Sequence, residues 1–293
     1  MDLHRTLRRG ATAPRSPRAI FALSGGGSRG GAQVGMLRAL LGAGVVPDVL
    51  VGASVGSLNA AFVASAPTLD RVDELAHLWR AADGRALVGR RSAAALNVVR
   101  RRPYLFEATS LRAMIARWVG DGRIEDLPTR LRIATTDLST GRSAHHDRGL
   151  LTDTIAASAA LPAVFPPVAL PGPAGPSLHV DAGVSANMPW SAAFEVARPG
   201  DTVWALDVTR TAPLRALHNP LDVLVASLVA TVRRQEPPAV PDGVTVRHVH
   251  LDNDFDCGRV FDFTHTGTLF RLGEQAATAT LAQLPRLAAS GAA

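Results

Sequence analysis

The sequence predicts an α/β fold with a mainly parallel sheet covered by helices. Three observations predict it. Short apolar runs alternate along the chain with segments whose apolar residues recur at helical spacing. The runs are apolar at consecutive positions, as strands buried on both faces are. No internal repeat and no linker breaks this alternation into two units.

Composition sets the first limits. Of the 293 residues, 47% are hydrophobic and 19% charged, which excludes a disordered chain. A chain of this length buries roughly three quarters of its unfolded surface and needs no metal or disulfide staple. Cys257 is the one cysteine. That excludes an intramolecular disulfide framework and a Cys-based zinc cluster, and it fits a reducing, cytoplasmic setting. The chain has no lysine, so its 31 basic residues are all arginine, against 25 acidic ones, for a net charge of +6. The absence of lysine suggests a GC-rich coding sequence and a bacterial source. Aromatic residues are 5% and are not interleaved with the basic runs. No nucleic-acid partner is expected on that composition.

Residues 1–18 read as a flexible basic arm, and 19–293 as a single domain. Ile20 to Leu23 is too short for the apolar core of a secretory signal, which runs about 7–15 residues. The Arg8-Arg9 pair lacks the apolar run that a twin-arginine signal needs. Val49 to Leu69 is uncharged and long enough to suggest a membrane span. Gly52, Ser54, Gly56, Ser57, Asn59 and Ser65 make it too polar to face lipid. Its β-branched first part and alanine-rich second part read as a buried strand turning sharply into a helix.

The elements follow in order. Ala19 to Ser24 is a short apolar run ended by glycines, a buried strand. Gly30 to Leu41 carries Val34, Leu37, Leu40 and Leu41 at helical spacing, and Gly42 and Gly44 stop it. Val49 to Gly52 is a second strand, Val55 to Ala64 a helix, and 68–83 an amphipathic helix. Residues 84–108 break the pattern: Arg85, Arg90, Arg91, Arg100, Arg101 and Arg102 stand among Leu87, Val88, Leu96, Val98, Val99, Tyr104, Leu105 and Phe106. They read either as a solvated helix face with a loop or as an interfacial segment that meets anionic lipid. Leu131 to Thr135 is a strand, Asp137 to Gly141 a turn, and Arg142 to His146 its hairpin partner. Ala156 to Val168 is rich in Ala and Pro. Leu178 to Asp181, Val203 to Val208 and Val244 to Leu251 read as strands, and Leu221 to Arg234 and Thr268 to Leu284 as helices.

Three motifs carry chemistry. Gly25-Gly26-Gly27-Ser28-Arg29-Gly30 lies between a strand and a helix start. Glycines there let backbone N–H groups converge on an anion, either a phosphate or the oxyanion of a tetrahedral intermediate. The run also fits a dinucleotide-binding pattern, which wants an acid at the carboxyl end of the second strand. The available acid, Asp48, precedes that strand, so a nicotinamide site is disfavoured. The second motif is Gly52-Ala53-Ser54-Val55-Gly56, a nucleophile-elbow pattern in strand–turn–helix context. The tight turn exposes Ser54 and demands Gly at 52 and 56. Its bland alternative is Ser54 as a buried helix cap. The third is His179-Val180-Asp181-Ala182-Gly183, which places Asp181 at a strand's carboxyl end, where α/β sites gather. A serine needs a base, and Asp181 can face Ser54. Its bland alternative is an Asp that caps the following turn.

In the order and content of these motifs the chain resembles the patatin-like phospholipases, serine acyl hydrolases with a Ser–Asp dyad. The glycine loop resembles the family's oxyanion loop, and Gly52 to Gly56, continuing Ser57-Leu58-Asn59-Ala60, its elbow. Ala157-Ser158-Ala159-Ala160-Leu161-Pro162, then Phe165-Pro166-Pro167-Val168, resembles the stretch before the acid in bacterial members. Asp181-Ala182-Gly183, with Asn187 and Pro189, resembles the Asp-Gly-Gly/Ala motif and its trailing Asn-x-Pro. One departure stands out: the family usually has Gly where this chain has Ala182. Were φ positive there, alanine would cost about 1 kcal/mol or more.

The resemblance implies a three-layer α/β/α fold with a mainly parallel central sheet. It implies that Ser54 attacks a lipid or other acyl-ester carbonyl and forms an acyl-enzyme. Asp181 would serve as general base and then acid. Backbone N–H groups around Gly26, Gly27 and Ser28 would hold the oxyanion, with Arg29 supporting the loop or the charge. The activity implied is that of a phospholipase A or lysophospholipase-type esterase, with no metal or organic cofactor. A Ser–His–Asp hydrolase is the nearest rival, with candidates His145, His146, His179, His248, His250 and His265; none sits in a distinctive motif. A rival of another class is an inactive lipid-binding or scaffolding protein of the same fold. Peripheral contact with anionic membranes, through 85–102 and the N-terminal arm, follows from the charge. His145-His146-Asp147 is not expected to bind a metal, because adjacent strand residues face opposite ways. Asp252, Asp254 and Asp256 lack the glycine and glutamate of a calcium loop.

Overall fold

The structure, a computed structural model, describes residues 16–88, 91–172, 175–209, 220–251 and 258–284. Most of the basic arm, Cys257, and Asp252, Asp254 and Asp256 lie outside the described residues. Arg18, at the arm's boundary, is tied to the fold: its guanidinium meets Asp201 at 2.6 Å.

The predicted strands assemble into one mixed, mainly parallel sheet. Strands β1 (Ala19–Leu23), β2 (Val49–Ala53), β3 (Arg130–Asp137), β7 (Thr202–Asp207) and β8 (Thr245–His250) run parallel, in the order β3-β2-β1-β7-β8. On the outer side of β3 the sheet turns antiparallel. There β4 (Ser143–His146) forms the expected hairpin, and β6 (Ser177–Val180) leads to the edge strand β5 (Val168–Leu170). The chain from 49 to 69, weighed above as a span, is β2 followed by α2 (Val55–Ala64). No helix among the described residues is long and apolar enough to cross a membrane.

Consecutive strand residues are buried on opposite faces, as their unbroken apolar character requires. Phe21, Leu23 and Leu50 enter the larger core, while Ile20, Ala22, Val49 and Val51 enter the smaller one. The larger layer holds α1 (Gly30–Gly42), α2, α3 (Leu69–Ala81), α6 (Thr109–Val119), α7 (Leu151–Ser158) and α11 (Thr266–Ala282). The thinner layer is α9 (Trp190–Phe194) and its flanks. The remaining helices are α4 (Gly84–Val88), α5 (Arg91–Val99), α8 (Gly183–Ala186) and α10 (Pro220–Arg233). Thus the described part of 84–108 holds two short helices and, after α5, a loop. Its exposed apolar residues include Leu96, Val98 and Val99.

Helices α1 and α11 cross backbone to backbone. A Cβ at Gly35 would lie 1.9 Å from the Phe270 carbonyl oxygen, and one at Gly273 1.9 Å from that of Ala32. Neither side can yield, because both obstacles are main chain. We therefore expect Gly273→Ala to cost about 1–3 kcal/mol or more and to lower activity from a distance, since α1 follows directly from the glycine loop. Urea unfolding beside an ester assay checks both effects. An unchanged midpoint would count against this contact.

Candidate active site

The site lies where β1, β2 and β6 end. After β2 the chain reverses within one residue: Ser54 has φ 51° and ψ −126°, and α2 starts at Val55. A non-glycine residue in that region costs about 1–3 kcal/mol, and the surrounding turn must hold it there. Gly56 makes the turn possible, since a Cβ would lie 2.4 Å from the Leu23 carbonyl oxygen. Gly52 is confined in the same way, against the main chain of Gly56 and Ser57. The Ser54 side chain does not cap α2. Its hydroxyl instead donates to Asp181 Oδ2 at 2.7 Å. Its half-buried side chain remains reachable, whereas Asp181 is 7% exposed.

Asp181 follows β6. Its other oxygen, Oδ1, accepts the Gly183 N–H at 2.7 Å, so the carboxylate also makes the turn bond of its bland reading. Burial pushes its pKa up from 3.8 to about 6, against the lowering effect of the Ser54 and Gly183 bonds. Ala182 has φ −58° and ψ −30°, an ordinary right-handed conformation. The departure from glycine therefore introduces no backbone strain. Its methyl packs against Ala53 and Ala134 in a small core of its own.

Two residues not assigned a role from sequence hold the pair together. Ser158 Oγ accepts the Ser54 N–H at 2.8 Å and donates to the Ala134 carbonyl at 2.6 Å. The carbonyls of Ser158 and Ala160 accept the N–H groups of Ala182 and Asp181. One stretch, 158–160, thus fixes both the turn at Ser54 and the acid. Asn187 does the same for the glycine loop: its carbonyl accepts the Gly25 N–H at 2.9 Å, and its Nδ2 donates to the Gly25 carbonyl and to Thr209 Oγ1. Both residues stood inside family-like motifs, and that was the only signal in the sequence.

The loop itself runs from Gly25 through a single 3-10 turn, 27–29, into α1 at Gly30. Gly27 has φ +56°, which favours glycine, and a Cβ there would meet the Val260 carbonyl. The amides of Gly25 and Ser28 are committed, to Asn187 O and to Val260 O at 2.7 Å. Those of Gly26 and Gly27 donate to no described group. Arg29 is 5% exposed, and its Nε donates to the Val208 carbonyl at 2.9 Å, bracing the loop against the end of β7. Asp48 sits at the amino end of β2, where its carboxylate accepts the Ala19 N–H. It is at the wrong end of the sheet to hold a ribose.

The histidines fall elsewhere. His179 is buried and hydrogen-bonded to Thr135 Oγ1 at 2.8 Å and Ser177 Oγ at 2.9 Å. His146 shares Thr135, and burial pushes its pKa down to about 4. His145 points to Glu195 on another side, as strand alternation requires. His248 and His250 face Asp207.

Comparison with known proteins places the chain in a family. Residues 21–194 match the family described as patatin-like phospholipase. The chain belongs to that family. It is 31% identical over 169 residues to the rat patatin-like phospholipase domain-containing protein 7, covering 58% of this chain and 12% of that protein. It is 29% identical over 207 residues to a lysophospholipase of Aspergillus terreus, covering 71% of this chain and 13% of the other. The chain thus spans about an eighth of the length of these relatives. The structure of human GIVD cytosolic phospholipase A2 with a fluorophosphonate inhibitor aligns over 92% of this chain and 60% of that one, with TM-score 0.47 and 13% identity.

Proposed function

We propose that this chain hydrolyses lipid acyl esters, as a phospholipase A or lysophospholipase-type esterase, with Ser54 as nucleophile and Asp181 as its base. The observation that carries this reading is the 2.7 Å bond from a reachable serine hydroxyl to a buried carboxylate. Ser54 Oγ attacks the ester carbonyl and passes its proton to Asp181. The oxyanion rests on the Gly26 and Gly27 amides, the uncommitted donors of the loop. The intermediate collapses, and Asp181 returns the proton to the leaving alcohol. Water, activated by the same carboxylate, then releases the acid. No imidazole takes part.

A fluorophosphonate probe tests this directly. Labelling at Ser54, identified by peptide mass, together with ester hydrolysis is expected. An intact, folded chain that is neither labelled nor active would point instead to a lipid-binding scaffold.

The acid must be ionised to act. With its pKa pushed up to about 6, it holds its proton at pH 5. The rate should therefore climb as pH rises through about 6, with pH 5 near a tenth of the plateau. A pH profile of kcat/KM on an uncharged ester reads this. An inflection near 4 would show an acid of ordinary strength.

Membrane contact belongs to the same reading. Val98 is 60% and Val99 79% exposed, directly before Arg100, Arg101 and Arg102. Exposed apolar residues beside arginines suit the headgroup boundary of an anionic leaflet. This segment also connects to the site: the amides of Leu105 and Phe106 donate to the carbonyls of Ala163 and Val164, just beyond 158–160. Vesicles containing phosphatidylserine should bind the chain more tightly than neutral ones. Changing the three arginines to glutamate should abolish the difference, and equal binding to both vesicles would refute the contact.

A further inference from the structure

We propose that Asp207, His248 and His250 form a binding site for a divalent transition-metal ion of the imidazole-preferring kind, Zn2+ above all. The site is separate from the Ser54 reaction and does not depend on it.

Strand pairing builds it. In the parallel register of β7 and β8, Asp207 stands opposite His250, and His248 lies two residues earlier. Period two puts all three side chains on one face of the sheet, at its carboxyl edge. His248 Nε2 lies 3.0 Å and His250 Nδ1 3.4 Å from the same carboxylate oxygen, Asp207 Oδ2. All three donor atoms fall within 4.8 Å of one another. A tetrahedral zinc with bonds of about 2.0–2.1 Å needs its ligand atoms about 3.3–3.4 Å apart. The two nitrogen–oxygen distances, 3.0 and 3.4 Å, are close to that before any ion enters.

The donor set also suits a cation: two imidazole nitrogens converge on one carboxylate oxygen. Two nitrogens and one carboxylate oxygen are a standard set for zinc and its neighbours, with a fourth position left for solvent. That position has an approach: the His248 side chain is 48% exposed, while Asp207 is 12% exposed and anchors the base of the site. An outer hydrogen bond fixes the carboxylate, and a ring contact packs against one imidazole. Asp207 Oδ1 accepts the Thr209 N–H at 2.8 Å, and the Trp190 ring meets His248 at 5.8 Å with its edge.

The site adjoins a structural brace. Thr209 accepts from Asn187, and the intervening Val208 accepts from Arg29. An ion here would hold the residues that support the glycine loop.

The test is zinc binding by the untagged, chelator-stripped chain, followed by competition with a chromophoric chelator. About one Zn2+ per chain is expected. His248→Ala and His250→Ala should each weaken binding beyond the roughly 10–100-fold that loss of an outer-shell partner costs. His145→Ala, on another part of the sheet, should leave it unchanged. Zn2+ should also raise the melting temperature of the parent chain but not of the double variant. The half-exposed His248 can be changed alone should the double variant fail to fold. Absence of saturable binding, or binding that survives His248→Ala unchanged, overturns the proposal.

Discussion

Ser54→Ala is expected to remove at least about a thousandfold of the hydrolytic rate, the scale on which loss of a nucleophile acts. It should also remove fluorophosphonate labelling. The fold should survive, because the side chain caps nothing and bonds only to Asp181. The substitution leaves that carboxyl buried with one donor fewer, so its proton should be held more tightly than in the parent. Alanine keeps the positive φ of 51° and its strain. Ser54→Gly relieves the strain, so the glycine variant should be the more stable of two inactive proteins. Denaturant midpoints and single-turnover assays separate these effects. Hydrolysis by folded Ser54→Ala at more than a few per cent of the parent rate would move the nucleophile elsewhere.

Asp181→Asn should be equally inactive, yet more stable than the parent at neutral pH. The asparagine carbonyl can still accept from Gly183, and its amide can donate to Ser54 Oγ, so the geometry is preserved while the base is lost. The stability effect follows from proton binding. The carboxyl has a pKa of about 6 when folded against 3.8 when free. The folded chain therefore binds a proton that the unfolded chain releases between those values. That contribution is fully present below about pH 3.8 and is lost as pH rises through about 6. Two pKa units correspond to about 3 kcal/mol. At pH 8 the parent carries that deficit and the asparagine variant does not; near pH 4 the two should converge. Unfolding curves at both pH values test this, and a gap that widens on acidification would contradict it. His179→Ala makes the contrast. It loses buried bonds to Thr135 and Ser177, so it should lose stability while a folded fraction keeps hydrolysing. A folded, inactive His179 variant would install an imidazole in the mechanism.

Much of this was legible in the chain itself, for identifiable reasons. The sequence predicts Val55 to Ala64 to the residue, because a β-branched run, two glycines and an alanine-rich segment leave few ways to turn. The expected helix 68–83 is slightly long: Thr68 caps it, accepting from Arg71, and it ends at Ala81. What was missed was short or weakly patterned. Helix α7 goes unread, since only its last three residues fall in the Ala- and Pro-rich stretch from Ala156, although it supplies Ser158. Strand β5 has three residues, too few for any periodicity. Helix α6 buries Leu111, Ile115 and Trp118 at helical spacing, but the arginine-rich segment before it obscured its start. Ala182 looked like a defect because sequence shows a missing glycine and not a φ value. The motif alone puts the Ser28 amide among the oxyanion donors. That it is spent on Val260 depends on a chain more than two hundred positions away, which no local pattern reveals. Likewise His248 and His250 had no motif. Only the pairing of β7 with β8 sets them against Asp207.

The cradle at Gly25 to Gly30 is completed by residues far along the chain. Ser28 rests on Arg259 and Val260, and α1 is seated by α11. A fragment that stops short of residue 259 would carry Ser54 and Asp181 without those supports, so a truncation that spares both residues should still leave the anion pocket unformed.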